Sequence, residues 1–309
     1  NMSQNVSYHI RAPAKINLTL HVTGQRPDGY HILDSLVVFA DVCDTLTIKR
    51  SHNFSFTVKG TEAAGTPAND ENLVLKVARL FLEAQNLSLV LKKSLPVSSG
   101  IGGGSADAAA AFRGLLCHSH GLLPGESIPT DFFNLDQTPI GRRLFQLGAD
   151  IPVCVMSQTM RMRGIGENLK SVQGLPEMWA ILVNPRVAIS TPTVFKKLTE
   201  KSNPPMPDNI PKFKTIECFV SWLAAQRNDL EQPAMSLVPE IKQVIDRFNA
   251  SSDCMFARMS GSGATCFGLY ANKARAMADL QKVQREFPNW WVQNTFLGSS
   301  ASLAMPRAT

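Results

Sequence analysis

Residues 96–112 read PVSSGIGGGSADAAAAF: four glycines, Gly100 and Gly102 to Gly104, run straight into an alanine-rich segment. Glycines let backbone N–H groups close on an anion, and a good helix former directly after them adds the partial positive charge of a helix start. The apolar run Leu87–Leu91 before the loop reads as a strand, and Ser105–Leu116 after it reads as a helix. A chain with this joint has to combine sheet and helix around a turn suited to phosphate. The competing reading is a tight strand-to-helix turn that holds nothing.

The known phosphate loops narrow the chemistry. A Walker loop needs a Gly-Lys pair, and the chain contains none. A dinucleotide fingerprint needs a third glycine where Ser105 or Asp107 stands, and no GxSxG elbow occurs. If the loop holds phosphate, it does so outside these three classes.

Around it the patterning alternates between sheet and helix. Ile16, Leu18, Leu20 and Val22 alternate with Asn17, Thr19, His21 and Thr23, the period of a strand buried on one face. A turn at Gln25–Gly29 and short β-rich runs at Leu33–Phe39, Leu46–Ile48 and Phe54–Val58 follow. From Asp70, expected as N-cap, helical spacing runs to a stop at Asn86. Thr138-Pro139 opens a further helix that Gly148 ends; Val153–Met156 reads as a strand, and RMRGIGENLK as the passage into a second unit near residue 170. The proline-bearing stretch Lys201–Lys214 is expected as a surface connection. Beyond it a helix over Pro239–Phe248 precedes strands at Cys254–Met259 and Thr265–Tyr270, a helix over Asn272–Phe287 and a strand over Trp290–Phe296, an α+β layer.

With 309 residues, 44% hydrophobic and 18% charged, the chain is long enough for two units with separate cores. Its net charge of +6 favours anionic ligands, but the basic residues form no block, so neither a nucleic-acid patch nor a membrane patch is written in the sequence. Six cysteines without a CxxC pair suit reduced thiols rather than a zinc site or a stapled secreted scaffold. The polar start NMSQNVSYHI lacks the regions of a signal peptide, and no stretch of about eighteen apolar residues occurs. A cytoplasmic protein is expected, with Asn1 before Met2 read as an expression remnant. His118 and His120 form an HxH that lacks an acidic partner and is expected as a solvated helix end, while Trp290 and Trp291 are expected in core and edge positions.

The glycine segment resembles the second motif of the GHMP superfamily of galactokinases, homoserine kinases, mevalonate kinases and phosphomevalonate kinases. APAKINLTL (residues 12–20) and MSGSGATCFGLY (residues 259–270) stand in the order of that superfamily's other two motifs. PAKINL, RPDGYHILDSL and LGADIPVCV together resemble the branch that phosphorylates 4-diphosphocytidyl-2-C-methyl-D-erythritol. The resemblance implies a two-domain α+β GHMP kinase fold. Residues 1–170 would form a ribosomal protein S5 domain 2-like, ATP-binding unit and residues 171–309 a ferredoxin-like unit, with the site between them. It implies ATP and Mg2+ as cofactors, a small-molecule acceptor, no nucleic-acid or membrane partner, and a monomer or weak homodimer.

Residue by residue, the resemblance makes Asp150 the base for the acceptor hydroxyl and Lys15 its charged neighbour. It gives ATP to Asn72 and to Pro96, Val97, Ser98, Ser99, Gly100, Ile101, Gly102, Gly103, Gly104, Ser105 and Ala106, with Ser105 also reaching the metal. The family's usual serine or threonine after Ser105 is Ala106 here. Asn17, Tyr30, His31, Thr191, Gly261, Ser262 and Gly263 are assigned to the acceptor, with Tyr30 stacking on cytidine. From the residues alone, Asp150 is equally a turn residue, Lys15 a surface lysine, Thr191 a helix cap and SGSGA an ordinary hairpin turn. Two other functions compete: another small-molecule kinase of the superfamily, and a non-catalytic nucleotide sensor or RNA-binding module.

Overall fold

The computed structural model describes residues 6–308; the reading of Asn1 lies outside them. The chain opens with β1 (Ser7–Asn17), β2 (His21–Gln25), β3 (His31–Arg50) and β4 (Ser55–Lys59). Helix α1 (Leu73–Ala78), β5 (Leu87–Lys92), helix α2 (Gly103–Ser119), α3 (Pro139–Leu147) and α4 (Ile151–Met156) follow, then the hairpin β6 (Met160–Gly164) and β7 (Asn168–Ser171). The remainder runs β8 (Met178–Asn184), α5 (Thr191–Lys197), α6 (Ile216–Ala224), α7 (Glu231–Leu237), α8 (Glu240–Asn249), β9 (Cys254–Met259), β10 (Cys266–Tyr270), α9 (Lys273–Glu286) and β11 (Trp291–Gly298).

The strands form one sheet whose main path is β4-β5-β3-β11-β8-β10-β9, with β1, β2 and β6 also on β3. Its two halves meet at a narrow seam, where β11 pairs with β3 only through Leu297 opposite Ala40 and Gly298 opposite Phe39. One apolar core (Ile10, Phe39, Leu46, Phe112, Leu144) lies under α1–α4, and a second (Ile181, Val194, Ile241, Phe248, Tyr270) lies under α5 and α7–α9. A third, with Leu18, Leu36, Ile101, Leu182, Phe219 and Phe267, takes the alternate side chains of β3 and β8 and so lies on the opposite face of the sheet, under α6. Each large apolar side chain so buried contributes about 1.5–3 kcal/mol before entropy is counted. The two-lobed α+β arrangement is the one expected from the sequence.

Several local readings are corrected. Val153–Met156 belongs to α4, because Pro152 pre-sets the first helical turn and Ile151–Val155 are buried on every side, which removes any alternation. RMRGIGENLK forms the β6–β7 hairpin on β3. Asn72, not Asp70, caps α1, accepting from the Val74 N–H, and the helix ends at Ala78 before a short 3-10 turn over Leu82–Asn86. Helix α2 starts two residues before Ser105, at Gly103, and Leu33–Phe39 and Leu46–Ile48 are parts of the single strand β3. The alternation from Ile16 to Val22 does not mark one wet face: Asn17, Thr19 and His21 are buried as well, and each has hydrogen-bond partners at the junction of the lobes.

Other local readings match the structure. Thr138 accepts from the Gly141 N–H and Gly148 closes α3. Residues 201–214 contain no helix or strand, and all six cysteines are free thiols. The HxH is not a wholly solvated helix end: His118 is half-buried edge-on to Tyr8, and only His120, against Phe132, is exposed. Trp291 is buried in β11, and Trp290 precedes the strand, stacked on Phe287 at 3.8 Å.

Candidate active site

A cleft of about 1220 Å³ opens between the lobes, large enough for two ligands of drug size. Its walls include Lys15 and Asn17 of β1, the glycine loop, Asp150 at the start of α4, Tyr30 and His31 at the start of β3, and α5 with Gly261 and Ser262 opposite. All three motifs of the sequence meet here.

The glycine loop is docked on both of the others. Gly100 has φ +79°, and a Cβ there would meet the Ser260 carbonyl oxygen at 2.4 Å and the Gly263 nitrogen at 2.6 Å, so the residue is glycine by necessity. The Ser260 hydroxyl donates to the Gly100 carbonyl at 3.1 Å, and the Thr265 N–H donates to that of Ser99 at 3.0 Å. On the other side the Lys15 N–H donates to the Ile101 carbonyl at 2.9 Å. Gly102, left-handed at φ +62°, stands at the N-cap of α2 with Lys15 Cβ 3.2 Å from where its own Cβ would be. The loop thereby presents the amides at the start of a 17-residue helix to the cleft, an arrangement suited to an anion.

Lys15 Nζ lies 2.6 Å from Asp150 Oδ2. The lysine side chain is only 6% exposed while that of Asp150 is 37% exposed, so the ammonium is sealed behind the carboxylate and the carboxylate faces the cleft. Asp150 occupies the N-cap position of α4 yet makes no cap hydrogen bond with its side chain. Its carboxylate is reserved for Lys15 and the cleft.

At the far end, His31 stacks on Phe195 with ring centroids 4.4 Å apart, and its Nε2 is buried without a partner. Burial first, then the Lys201 charge, lowers the His31 pKa from the ordinary imidazole value. Tyr30 stands 59% exposed beside it. Asn17 donates to Ser35 Oγ at 2.8 Å, and its Oδ1 is buried and unpaired. Ser190 is the N-cap of α5, so Thr191 is its first helical residue; the Thr191 hydroxyl instead pairs with that of Ser262 at 2.7 Å across the cleft wall.

Asn72 lines the cleft, but its amide is engaged, accepting from Val74 N–H at 2.9 Å and donating to the Pro67 carbonyl at 2.8 Å. Ile101 and Ala106 point into the cores, and Gly263 lies behind the wall; of the expected site residues these three do not line the cleft. The sequence reading missed Phe195, Lys93 and Asp107, all lining it. Lys93 Nζ is held by Asp44 at 2.6 Å and Asp107 at 2.8 Å, all three buried. Burial opposes the lysine charge, but Asp107 and Asp44 outweigh it and raise the Lys93 pKa; burial is also the main influence raising Asp107.

Comparison with known proteins agrees with this geometry. The model for the GHMP kinases N terminal domain matches residues 72–158, and that for GHMP kinases C terminal matches residues 213–289. A 4-diphosphocytidyl-2-C-methyl-D-erythritol kinase of Roseobacter denitrificans is 50% identical over 96% of this chain and 95% of its own length. The kinase of that name from Paramagnetospirillum magneticum is 45% identical over 93% and 97%. Among solved structures, a 4-(cytidine 5'-diphospho)-2C-methyl-D-erythritol kinase aligns with a TM-score of 0.71 at 30% identity, covering 94% of this chain and 99% of that one. A homoserine kinase from Cytophaga hutchinsonii shares the fold at a TM-score of 0.66 and 16% identity, covering 100% and 98%. With three motifs converging on one cleft and relatives matching end to end, the chain belongs to the GHMP kinases and, within them, to the family of 4-diphosphocytidyl-2-C-methyl-D-erythritol kinases.

Proposed function

We propose that this kinase transfers the γ-phosphoryl group of ATP to the C2 hydroxyl of 4-diphosphocytidyl-2-C-methyl-D-erythritol, giving the 2-phosphate and ADP in the non-mevalonate route to isopentenyl diphosphate, in the cytoplasm. The observation that carries the reading is the Lys15–Asp150 pair, whose carboxylate opens on the same cleft as the glycine loop. In the proposed step, Asp150 accepts the proton of the C2 hydroxyl as that oxygen bonds to the γ-phosphorus and the bond to the β-phosphate oxygen breaks. Lys15 favours the anionic oxygen as it forms. The amides at the start of α2 hold the phosphates.

The residues present fit a magnesium ion that takes most of its ligands from phosphate and water: the cleft offers the Ser105 hydroxyl at the first turn of α2 and no cluster of three protein ligands among the described residues. Ser105 would hold it, and such an ion supplies neutralisation of phosphate charge. The acceptor is assigned to the other end of the cleft, with Tyr30 and His31 on the cytosine and Asn17, Thr191 and Ser262 toward the erythritol. In this reading residues 1–170 bind the nucleotide and residues 171–309 complete the acceptor wall.

The test is incubation with ATP, magnesium and the cytidine substrate, following ADP release and the phosphorylated product, with homoserine and mevalonate in parallel. Product from the cytidine substrate alone supports the assignment. Turnover with either of the others, or none with any acceptor despite ATP binding, overturns it.

A further inference from the structure

The chain has no Gly-Lys pair, so no lysine follows its glycine loop in sequence. The fold supplies one from behind. Lys93, one residue past β5, reaches under the first turn of α2, where a Cβ on Gly103 would lie 3.4 Å from its Nζ. The Lys93 side chain is 3% exposed, yet the residue lines the cleft. Two of its three N–H groups are occupied, by Asp44 Oδ2 and Asp107 Oδ2.

The two carboxylates fix it from different elements. Asp44, on β3, also accepts from the N–H groups of Ser94 at 2.6 Å and Leu95 at 2.9 Å through Oδ1, which secures the residues leading into the loop. Asp107, on α2, keeps Oδ1 buried and unpaired. A lone buried lysine would shed its proton or move to water; this one keeps its charge between two carboxylates and lies against the loop's inner side at Gly103. Nothing but a glycine separates it from the place where phosphate oxygens would lie.

Accepting the kinase reading, we propose that Lys93 is a binding residue for the polyphosphate of the donor nucleotide, with Asp44 and Asp107 as the positioning residues that hold its ammonium beneath Gly103. The cation and the amides of α2 thus approach the phosphates from the same side, doing by tertiary structure what a Walker loop does with adjacent residues.

The experiment is calorimetric titration of ATP, ADP, AMP and adenosine into the wild type and into Lys93→Met, which keeps the length of the side chain and removes its charge. The expected result is an adenosine affinity within about twofold of wild type and a loss of about ten- to a hundredfold for ADP and ATP. An equal loss for all four ligands makes Lys93 structural and overturns the proposal, as does no loss at all. Because Lys93→Met leaves two buried carboxylates without their cation, the same series is run on Lys93→Met/Asp107→Asn against Asp107→Asn alone. Asp44 keeps its two backbone donors in both, and the same phosphate-dependent difference is expected; its absence overturns the assignment. A wild type that turns over ATP while the Lys93 variants bind every nucleotide normally removes only this proposal. A wild type that binds no nucleotide removes the kinase reading and this proposal with it.

Discussion

Lys15 and Asp150, 135 residues apart in sequence, meet at 2.6 Å, with the lysine sealed and the aspartate open to the cleft. The asymmetry sets an order of importance. Asp150→Asn keeps the shape and an oxygen for Lys15 to donate to, but it cannot accept a proton. Expected are an unchanged fold, ATP and acceptor binding within a few-fold of wild type, and kcat lower by about 10²- to 10⁴-fold. Steady-state kinetics beside calorimetric binding checks this, and a variant with near-normal kcat would return Asp150 to a structural role.

The glycines of the loop are not equivalent. Gly100→Ala drives a Cβ into Ser260 and Gly263 backbone at a left-handed residue, and is expected to cost about 2–4 kcal/mol of stability. Gly104→Ala meets no atom within 4 Å on a residue with ordinary helical backbone, so its melting temperature should hold or rise slightly. Its methyl enters the cleft wall, and the KM for ATP should rise with little change in stability. Thermal unfolding and kinetics on the two variants separate a loop held by contact from a loop kept bare for its ligand.

Arg113 is fully buried with no carboxylate partner among the described residues, and its guanidinium donates to the carbonyls of Arg11, Cys154, Val155 and Ala304. Burial lowers its pKa to about 10, the mark of a charge kept inside by hydrogen bonds alone. Arg113→Met is expected to cost about 3 kcal/mol, because the carbonyls of Cys154, Val155 and Ala304 and the half-buried one of Arg11 lose their donor. Hydrogen exchange should then show residues 299–307 opening first; uniform loss of protection would contradict that.

Acid should loosen the fold through histidine. His21 Nε2 accepts from the Arg227 N–H at 3.1 Å and Nδ1 faces the Pro204 carbonyl at 3.1 Å, so the network assigns the neutral ring with its proton on Nδ1. Burial first, then the Arg227 charge, lowers its pKa from 6.5, and burial lowers His9, His31 and His118 likewise. The unfolded chain therefore binds more protons in the window below about 6.5, so stability is full above it and falls as pH drops through the folded values. Melting temperature should decline between about pH 7 and pH 5, and an NMR titration should place His21 below 6.5. A His21 titrating at or above that value would refute the argument.

The parts of the site that were legible in sequence are those made by local chemistry. The glycine loop and α2 announce themselves through backbone freedom followed by helix propensity, and Thr138-Pro139 does the same for α3. Lys15 and Asp150 took their meaning from motif resemblance, since nothing local distinguishes Asp150 from a turn residue. Lys93 was invisible for a physical reason: LKK at the end of an amphipathic strand looks like two solvated lysines, and its partners stand 49 and 14 residues away. Helix α4 was misread because a short apolar run buried on all sides has no period to read.

The last described residues return to the first. His9 and Arg307 exchange backbone hydrogen bonds, the Ser300 N–H reaches the Ser157 carbonyl, and Arg113 waits for Ala304. On the ribosome this order matters: the amino-terminal lobe leaves the exit tunnel long before residues 300–307 are made, with a charged guanidinium in its core lacking one of its acceptors. That lobe is completed only once residues 300–307 have emerged and packed back on it, so the two halves mature together even though they are synthesised in sequence.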